Sequence, residues 1–241
     1  MEIYLLRHGT TAWNAAHRIQ GNVDTELDPV GLEMARITGE RLRELGIRFD
    51  LVFSSPLSRA YRTAQLVSGV EGEGKIILDD RLRELNFGRQ EGRIVEEMTV
   101  DPASPFRFFK TDPPEYDRQI RERKEEMQAE SLTELCERTA AFLKERIESL
   151  PADGRVDISG NGEERKPVSR ILISAHGVCN KALLMHIRGD GDLGNFWLSG
   201  LQPNCGMDLI DYDPKRKTWQ IRESNRIFYP EDLRDRFRSL L

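Results

Sequence analysis

Two short apolar runs in this 241-residue chain stop on the same dipeptide, and that repetition constrains the fold more than any other feature. Ile3-Tyr4-Leu5-Leu6 leads into Arg7-His8-Gly9, and Ile171-Leu172-Ile173-Ser174 leads into Ala175-His176-Gly177. A β-rich run halted abruptly by glycine reads as a buried strand ending in a turn. The open ends of parallel strands are where α/β sheets bind ligands. Two of only four histidines therefore fall where such a sheet would keep its active site.

Between these runs, strand and helix patterns alternate. Asp28-Pro29 followed by Leu32, Ala35, Leu42 and Leu45, with Gly46 closing the pattern, is a capped amphipathic helix. Asp50 to Phe53 reads as a second strand, and Ser54-Ser55-Pro56 as the N-cap and first-turn proline of a helix reaching about Val67. Lys75 to Leu78 is a third short strand. Asp79 to Gly92 mixes charge with Phe87 and two glycines, the composition of an ordered loop that carries function. Met98 to Glu130 departs from its surroundings, with Pro102, Pro105, Pro113 and Pro114 among Phe106, Phe108, Phe109 and Tyr116. This segment reads as an inserted cap, and its charge run Arg121 to Glu126 as a solvated helix face. Ser131-Leu132-Thr133-Glu134 is a capping box that opens a helix with Leu135, Thr139, Phe142, Leu143 and Ile147 on one stripe, ending near Leu150-Pro151. Asp153 to Ser169 reads as an exposed, mobile connection.

Composition narrows the function. With 38% hydrophobic residues, 241 residues can bury a full core, and one α/β domain over 1–241 is the expectation. The formal net charge of -5 offers no overall field to nucleic acid or an acidic membrane, so any anion-binding surface must be local. Cys136, Cys179 and Cys205 are odd in number and lack CxxC spacing, which argues against a disulfide framework and a zinc cluster and fits a reducing cytoplasm. No apolar stretch approaches the roughly 18 residues of a membrane span.

Arg7-His8-Gly9-Thr10-Thr11-Ala12-Trp13-Asn14 resembles the signature of the histidine phosphatase superfamily, the phosphoglycerate mutase-like proteins. Arg18-Ile19-Gln20-Gly21 with Asp24, Leu27 and Gly31 is similar to the loop that follows in that family, and Ser54-Ser55-Pro56-Leu57-Ser58-Arg59-Ala60 with Thr63-Ala64 to its second arginine motif. Leu82-Arg83-Glu84 with Phe87-Gly88 and Glu91-Gly92 resembles the acid-bearing loop, and Ser174-Ala175-His176-Gly177 the second histidine motif. All stand in family order. The resemblance implies a three-layer sandwich around a mostly parallel central sheet, with the cap inserted at about 98–130.

The residues argue the same chemistry without the family. Phosphoryl transfer needs in-line positioning and concentrated positive donors, supplied here by Arg7, Arg59 and a histidine instead of Mg²⁺. Arginine binds phosphate bidentately, and Arg59 would sit in the first turn of a helix, where free N–H groups add to the attraction. Spacing alone does not separate the two histidines. The resemblance implies that His8 is the nucleophile, that a protonated His176 steadies the transition state, and that Glu84 protonates the leaving group and then activates water. It further implies substrate contacts from Asn14, Gln20, Gly21 and Gly177. His17 reads as an exposed loop residue and His186 as a packed or capping one; neither has metal-ligand spacing, and no metal or organic cofactor is expected. In the family, mutases carry a lysine and an arginine pair at the site entrance; here Val95 takes the lysine's place and Met98 to Tyr116 contains no Arg-Arg. Glu91-Gly92 resembles the phosphatase branch, although Gln90 replaces its common tryptophan and Ala129 its glycine. The expectation is therefore a phosphomonoesterase acting on a small phosphorylated metabolite, with cofactor-dependent phosphoglycerate mutase and then a non-catalytic phospho-ligand binding protein as alternatives.

Overall fold

The two histidine-tipped runs lie side by side as neighbouring parallel strands. The computed structural model describes residues 1–70, 74–151, 153–157 and 165–233. Its strands are β1 (Glu2–Arg7), β2 (Leu51–Ser54), β3 (Ile77–Leu78), β4 (Arg155–Asp157), β5 (Arg165–Pro167), β6 (Arg170–Ala175), β7 (Met207–Asp213) and β8 (Thr218–Arg226). Its α-helices are α1 (Ala12–Ala15), α2 (Pro29–Glu44), α3 (Ser58–Ser68), α4 (Val95–Val100), α5 (Pro113–Glu122), α6 (Lys124–Met127), α7 (Leu132–Leu143) and α8 (Gly177–Arg188). The central sheet has the order β3-β2-β6-β1-β7-β8, parallel through its first four strands and antiparallel through β7 and β8. The register pairs Leu6 with Ser174 and Arg7 with Ala175, so both His-Gly turns leave the same edge of the sheet.

Alternation along the strands makes the three layers. Ile3, Leu5, Phe53, Ile171 and Ile173 turn to one face and pack with Phe142 and Leu143 of α7 and Leu183 and Leu184 of α8. Tyr4, Leu6, Val52, Leu172 and Met207 turn to the other and pack with Met34, Ala35 and Leu42 of α2 and Ala64 and Val67 of α3. Pro29 opens α2 as expected, capped by Asp28, whose Oδ1 accepts from Gly31 N–H at 2.7 Å. Thr10 Oγ1 donates to the same oxygen at 2.9 Å, which fastens the loop after β1 to the helix. The capping box at α7 forms, Ser131 Oγ accepting from Glu134 N–H and Glu134 Oε2 from Ser131 N–H; the helix then widens into one π turn over Lys144–Glu148.

The cap residues 98–130 form short helical pieces over the α7–α8 side of the sheet. Met98, Phe106, Phe109, Tyr116, Ile120 and Met127 share a third apolar cluster with Leu132 and Leu135 of α7 and Val178, Ala182 and Met185 of α8. The 121–126 run is solvated, paired within itself through Arg123–Glu126 at 2.6 Å.

Three local expectations are corrected. Ser54 ends β2 and α3 begins only at Ser58 with no side-chain cap, because Ser54 Oγ donates to Ser55 O and Ser55 Oγ faces His176 and Leu57 N–H. The third strand is confined to Ile77–Leu78. Within the expected connection, β4 and β5 pair antiparallel, with Val156 opposite Lys166, while residues 158–164 lie outside the described residues.

Candidate active site

At the carboxyl edge of β1, His8 is 3% exposed, and its Nδ1 lies 2.6 Å from Gly9 O. A carbonyl only accepts, so Nδ1 carries the proton and Nε2 keeps its lone pair. Burial, then Arg59 and Arg7, push the imidazole well below its ordinary range and keep it neutral. The backbone around it is fixed from two sides: Gly9 N–H donates to Thr63 Oγ1 at 3.0 Å, and Asn204 Nδ2 donates to His8 O at 3.1 Å.

His176, at the edge of β6, is fully buried, with its ring centroid 5.2 Å from that of His8. Its Nε2 lies 2.8 Å from Ser55 Oγ, and its Nδ1 is buried without a partner. The protonated state expected of His176 belongs to the phosphate-bound site. Burial, then Arg59 and His8, push His176 well below its ordinary range, so the protein's own groups leave it neutral.

The two arginines supply the positive floor. Arg7 Nη1 donates to Gln202 O at 2.5 Å. Arg59, in the first turn of α3 and wholly buried, donates from Nη2 to Gly21 O at 2.7 Å and from Nη1 to Val23 O at 2.8 Å. Burial lowers both guanidinium groups, Arg59 to about 10, and both stay charged at neutral pH. The Nε of each is buried with no partner. Buried donors without a partner are costly and call for an explanation, and Arg7 and Arg59 border the same cavity as His8.

Glu84 reaches the site from its loop. Its Oε1 accepts from Cys179 N–H at 2.9 Å and from Leu85 N–H at 3.0 Å, and its Oε2 from Val178 N–H at 3.1 Å. The carboxylate thus caps α8, which lacks a side-chain cap of its own, and the positive end of the helix dipole favours it there. Behind it, Arg138 donates from Nη2 to Glu84 O at 3.0 Å and from Nη1 to Arg81 O at 2.6 Å, and grips Glu130 through Nε and Nη2 at 2.6 and 2.9 Å.

A cavity of about 180 Å³ is lined by Arg7, His8, Asn14, Gln20, Gly21, Arg59, Glu84 and Gly177, so eight of the nine expected site residues border it and His176 stands behind His8. Asn14 Oδ1 accepts from Thr11, and Gln20 Oε1 from Thr11 Oγ1 and Thr25 Oγ1, which leaves each side chain its NH₂ group as donor. Gly21 has φ +55°, and a Cβ there would lie 2.0 Å from Glu91 Oε1; Glu91 in turn accepts from Asn22 and Val23 N–H and shapes the loop. A Cβ on Gly177 would meet Leu201 Cδ1 at 2.9 Å. His17 pairs with Glu96 at 2.8 Å and His186 with Glu148 at 2.7 Å, neither in the cavity.

Lys110, Trp197 and Leu201 in the walls, and Gln202 and Asn204 bonded to Arg7 and His8, belong to none of the sequence motifs, and Arg18 enters only as the start of the Arg18-Ile19-Gln20-Gly21 loop. The turn residues Pro203-Asn204 and Gly206 before β7 were a signal for a functional loop of that kind. Of the cap aromatics, Phe106 and Phe109 line the cavity; Phe108 and Tyr116 do not, Tyr116 being fully buried against Phe109. Among the described residues, no three His, Cys, Asp or Glu side chains gather as a metal site would need, and no helix is long and apolar enough to cross a membrane.

A model of the histidine phosphatase superfamily (branch 1) matches residues 3–226. A relative from Yersinia pestis named "Probable phosphoglycerate mutase GpmB" is 33% identical over 215 residues, 88% of this chain and 85% of that protein. Among solved structures, Bacillus stearothermophilus YhfR superposes with a TM-score of 0.72 at 25% identity, covering 94% of this chain and 97% of that one. Phosphoglycerate mutase from Bacillus anthracis superposes with a TM-score of 0.72 at 26% identity, covering 93% and 92%.

Proposed function

This chain belongs to the histidine phosphatase superfamily, branch 1, and from that membership we propose that it hydrolyses a small phosphomonoester through a phosphohistidine on His8. One observation carries the reading: Nδ1 of His8 is committed to Gly9 O, which leaves a neutral, nucleophilic Nε2 among the unpartnered Nε groups of Arg7 and Arg59.

In the first step His8 Nε2 attacks phosphorus, the N–P bond forms and the ester P–O bond breaks. Arg7, Arg59, Asn14 and Gln20 hold the equatorial oxygens as charge develops there. The phosphoryl dianion brings to His176 the opposite charge that the protein itself withholds, and an imidazolium at Nδ1 then donates to it. Glu84, once it holds a proton, passes it to the leaving oxygen. In the second step its carboxylate takes a proton from water, the water oxygen bonds to phosphorus, the N–P bond breaks, and orthophosphate leaves with His8 restored. Gly177 lets Arg7 and Leu201 close on the bound group. No step calls on a metal ion.

Val95 in the wall, where mutases of the family place a lysine, favours water over a second glycerate as acceptor. The name of the Yersinia pestis relative favours the mutase reading. Incubation with 3-phosphoglycerate and with aryl phosphates, scored separately for orthophosphate and for 2-phosphoglycerate, tests the two. Orthophosphate as the product supports the hydrolase; 2-phosphoglycerate without orthophosphate sinks it.

A further inference from the structure

A third strand end meets the two histidines at the edge of the sheet. β2 pairs with β6 in parallel, with Ser54 opposite Ser174, and the next residue, Ser55, donates its N–H to Ser174 O at 3.0 Å. The sheet that sets His176 beside His8 thus also sets Ser55 beside His176. Ser55 is fully buried, and its Oγ lies 2.8 Å from His176 Nε2. It does not line the cavity, so it has no place among the groups that touch substrate.

A serine hydroxyl has one proton to give, and this one has two partners among the described residues. Leu57 N–H donates to Ser55 Oγ at 3.3 Å and occupies a lone pair. The other partner is His176 Nε2. Were Nε2 the protonated nitrogen of the neutral ring, Ser55 Oγ would accept from both sides and its own buried proton would have no acceptor, which is costly. With the lone pair on Nε2, Ser55 donates to it and the hydroxyl is satisfied. The imidazole proton then stands on Nδ1, the buried nitrogen that has no protein partner. A phosphate asks for the same tautomer, because its ionised oxygens only accept.

We propose that Ser55 is a positioning residue: its hydroxyl, by donating to Nε2, holds the His176 proton on Nδ1, so the ring is a hydrogen-bond donor to the transferring phosphoryl group before it carries any charge. The catalytic consequence rests on the phosphomonoesterase reading; the tautomer does not. The same oxygen also serves the charged ring. When the bound dianion draws a second proton onto the imidazole, that proton sits on Nε2 and donates to Ser55 Oγ, and the charge-assisted bonds on both sides of the ring offset the serine proton left unpaired. His176 changes charge without turning.

The tautomer is read from two-bond proton–nitrogen correlation spectra of histidine-labelled protein without ligand, at about pH 8, above the ordinary histidine range. The chain has only four histidines, and the His176 signals are those that vanish in His176→Gln. A pyrrole-like Nδ1 and a pyridine-like Nε2 are expected in the wild type. A pyrrole-like Nε2 overturns the proposal, and this spectrum needs neither activity nor a folded Ser55 variant. Ser55→Ala is expected to let the Nε2-protonated form appear and to slow first turnover of a nitrophenyl phosphate by about tenfold, the scale of one hydrogen bond, with KM little changed. Slower turnover with the tautomer unchanged would make the serine a brace of the backbone alone and overturns the proposal. Should the wild type hydrolyse no phosphomonoester, the phosphomonoesterase reading fails instead, and the two spectra still decide whether Ser55 sets the tautomer.

Discussion

At the residue scale, the proposed chemistry turns on two imidazoles whose burial disfavours the proton while no phosphate is bound. Both have folded-state values below their unfolded ones, so beneath about pH 6.5 the unfolded chain binds protons that the native chain refuses. Stability is therefore expected to fall as pH drops below about 6.5, with each histidine adding up to roughly 1.4 kcal/mol per pH unit. Urea unfolding from pH 7 to 5 should show a shallower fall in a His8→Gln, His176→Gln double variant; an unchanged slope would remove both groups from the account. Glu84 makes a different prediction. An amide in place of its carboxylate keeps one oxygen to accept from Cys179 and Leu85 N–H and loses only the bond from Val178 N–H, so Glu84→Gln should fold. It should nevertheless slow an alkyl phosphate by about 10²–10⁴-fold while barely touching first turnover of a nitrophenyl phosphate. Equal losses on both would take the acid role from Glu84. These residues stand out in the sequence because each sits in a short motif with its own turn glycine or helix start. Lys110, Trp197 and Gln202 do not: nothing local distinguishes a surface lysine, and their contacts join segments almost ninety residues or more apart.

At the scale of elements, the loop that carries Glu84 is held from outside itself. Arg138 on α7 ties Glu84 O, Arg81 O and Glu130 together, with only 21% of its side chain exposed. Arg138→Met leaves the Glu130 carboxylate with only the Asn86 N–H and no opposite charge, and should cost about 3 kcal/mol of stability. Arg138→Lys keeps the charge but loses the planar fork, so it should fold better and still lower the alkyl-to-nitrophenyl rate ratio. An unaltered ratio in a folded Arg138→Lys protein would show that the clamp does not position the acid. The helices α2 and α7 and the strands β1, β2 and β6 were readable from caps and apolar runs. The Ser54-Ser55-Pro56 start was misplaced because an N-cap serine and a serine that braces His176 look alike in sequence. The segment 98–130 stands out by composition, but which of its aromatics face the cavity depends on the turn at Pro105–Phe108, which buries Phe106 and Phe109 and leaves Phe108 stacked beside Arg107.

At the scale of the whole molecule, a chain of net charge -5 concentrates buried arginine and neutral histidine at one edge of a parallel sheet. The repeated His-Gly endings marked β1 and β6 as strands ending at equivalent places, but their pairing and register are seen only in the fold, as is the antiparallel β7–β8 addition. Since the positive floor comes from side chains, hydrolysis of an aryl phosphate is expected to persist in excess EDTA and to be blocked by vanadate, which adopts the trigonal-bipyramidal shape of the transferring group. Complete loss on chelation would contradict the metal-free mechanism. The most direct test is rapid acid or alkaline quench after a brief exposure to a radiolabelled phosphomonoester. The account predicts a protein-bound phosphate that survives alkali and is lost in acid, present in wild type, accumulating in Glu84→Gln with a good leaving group, and missing in His8→Ala. Label at wild-type level in His8→Ala, or turnover with no phosphoenzyme in any variant, would contradict it.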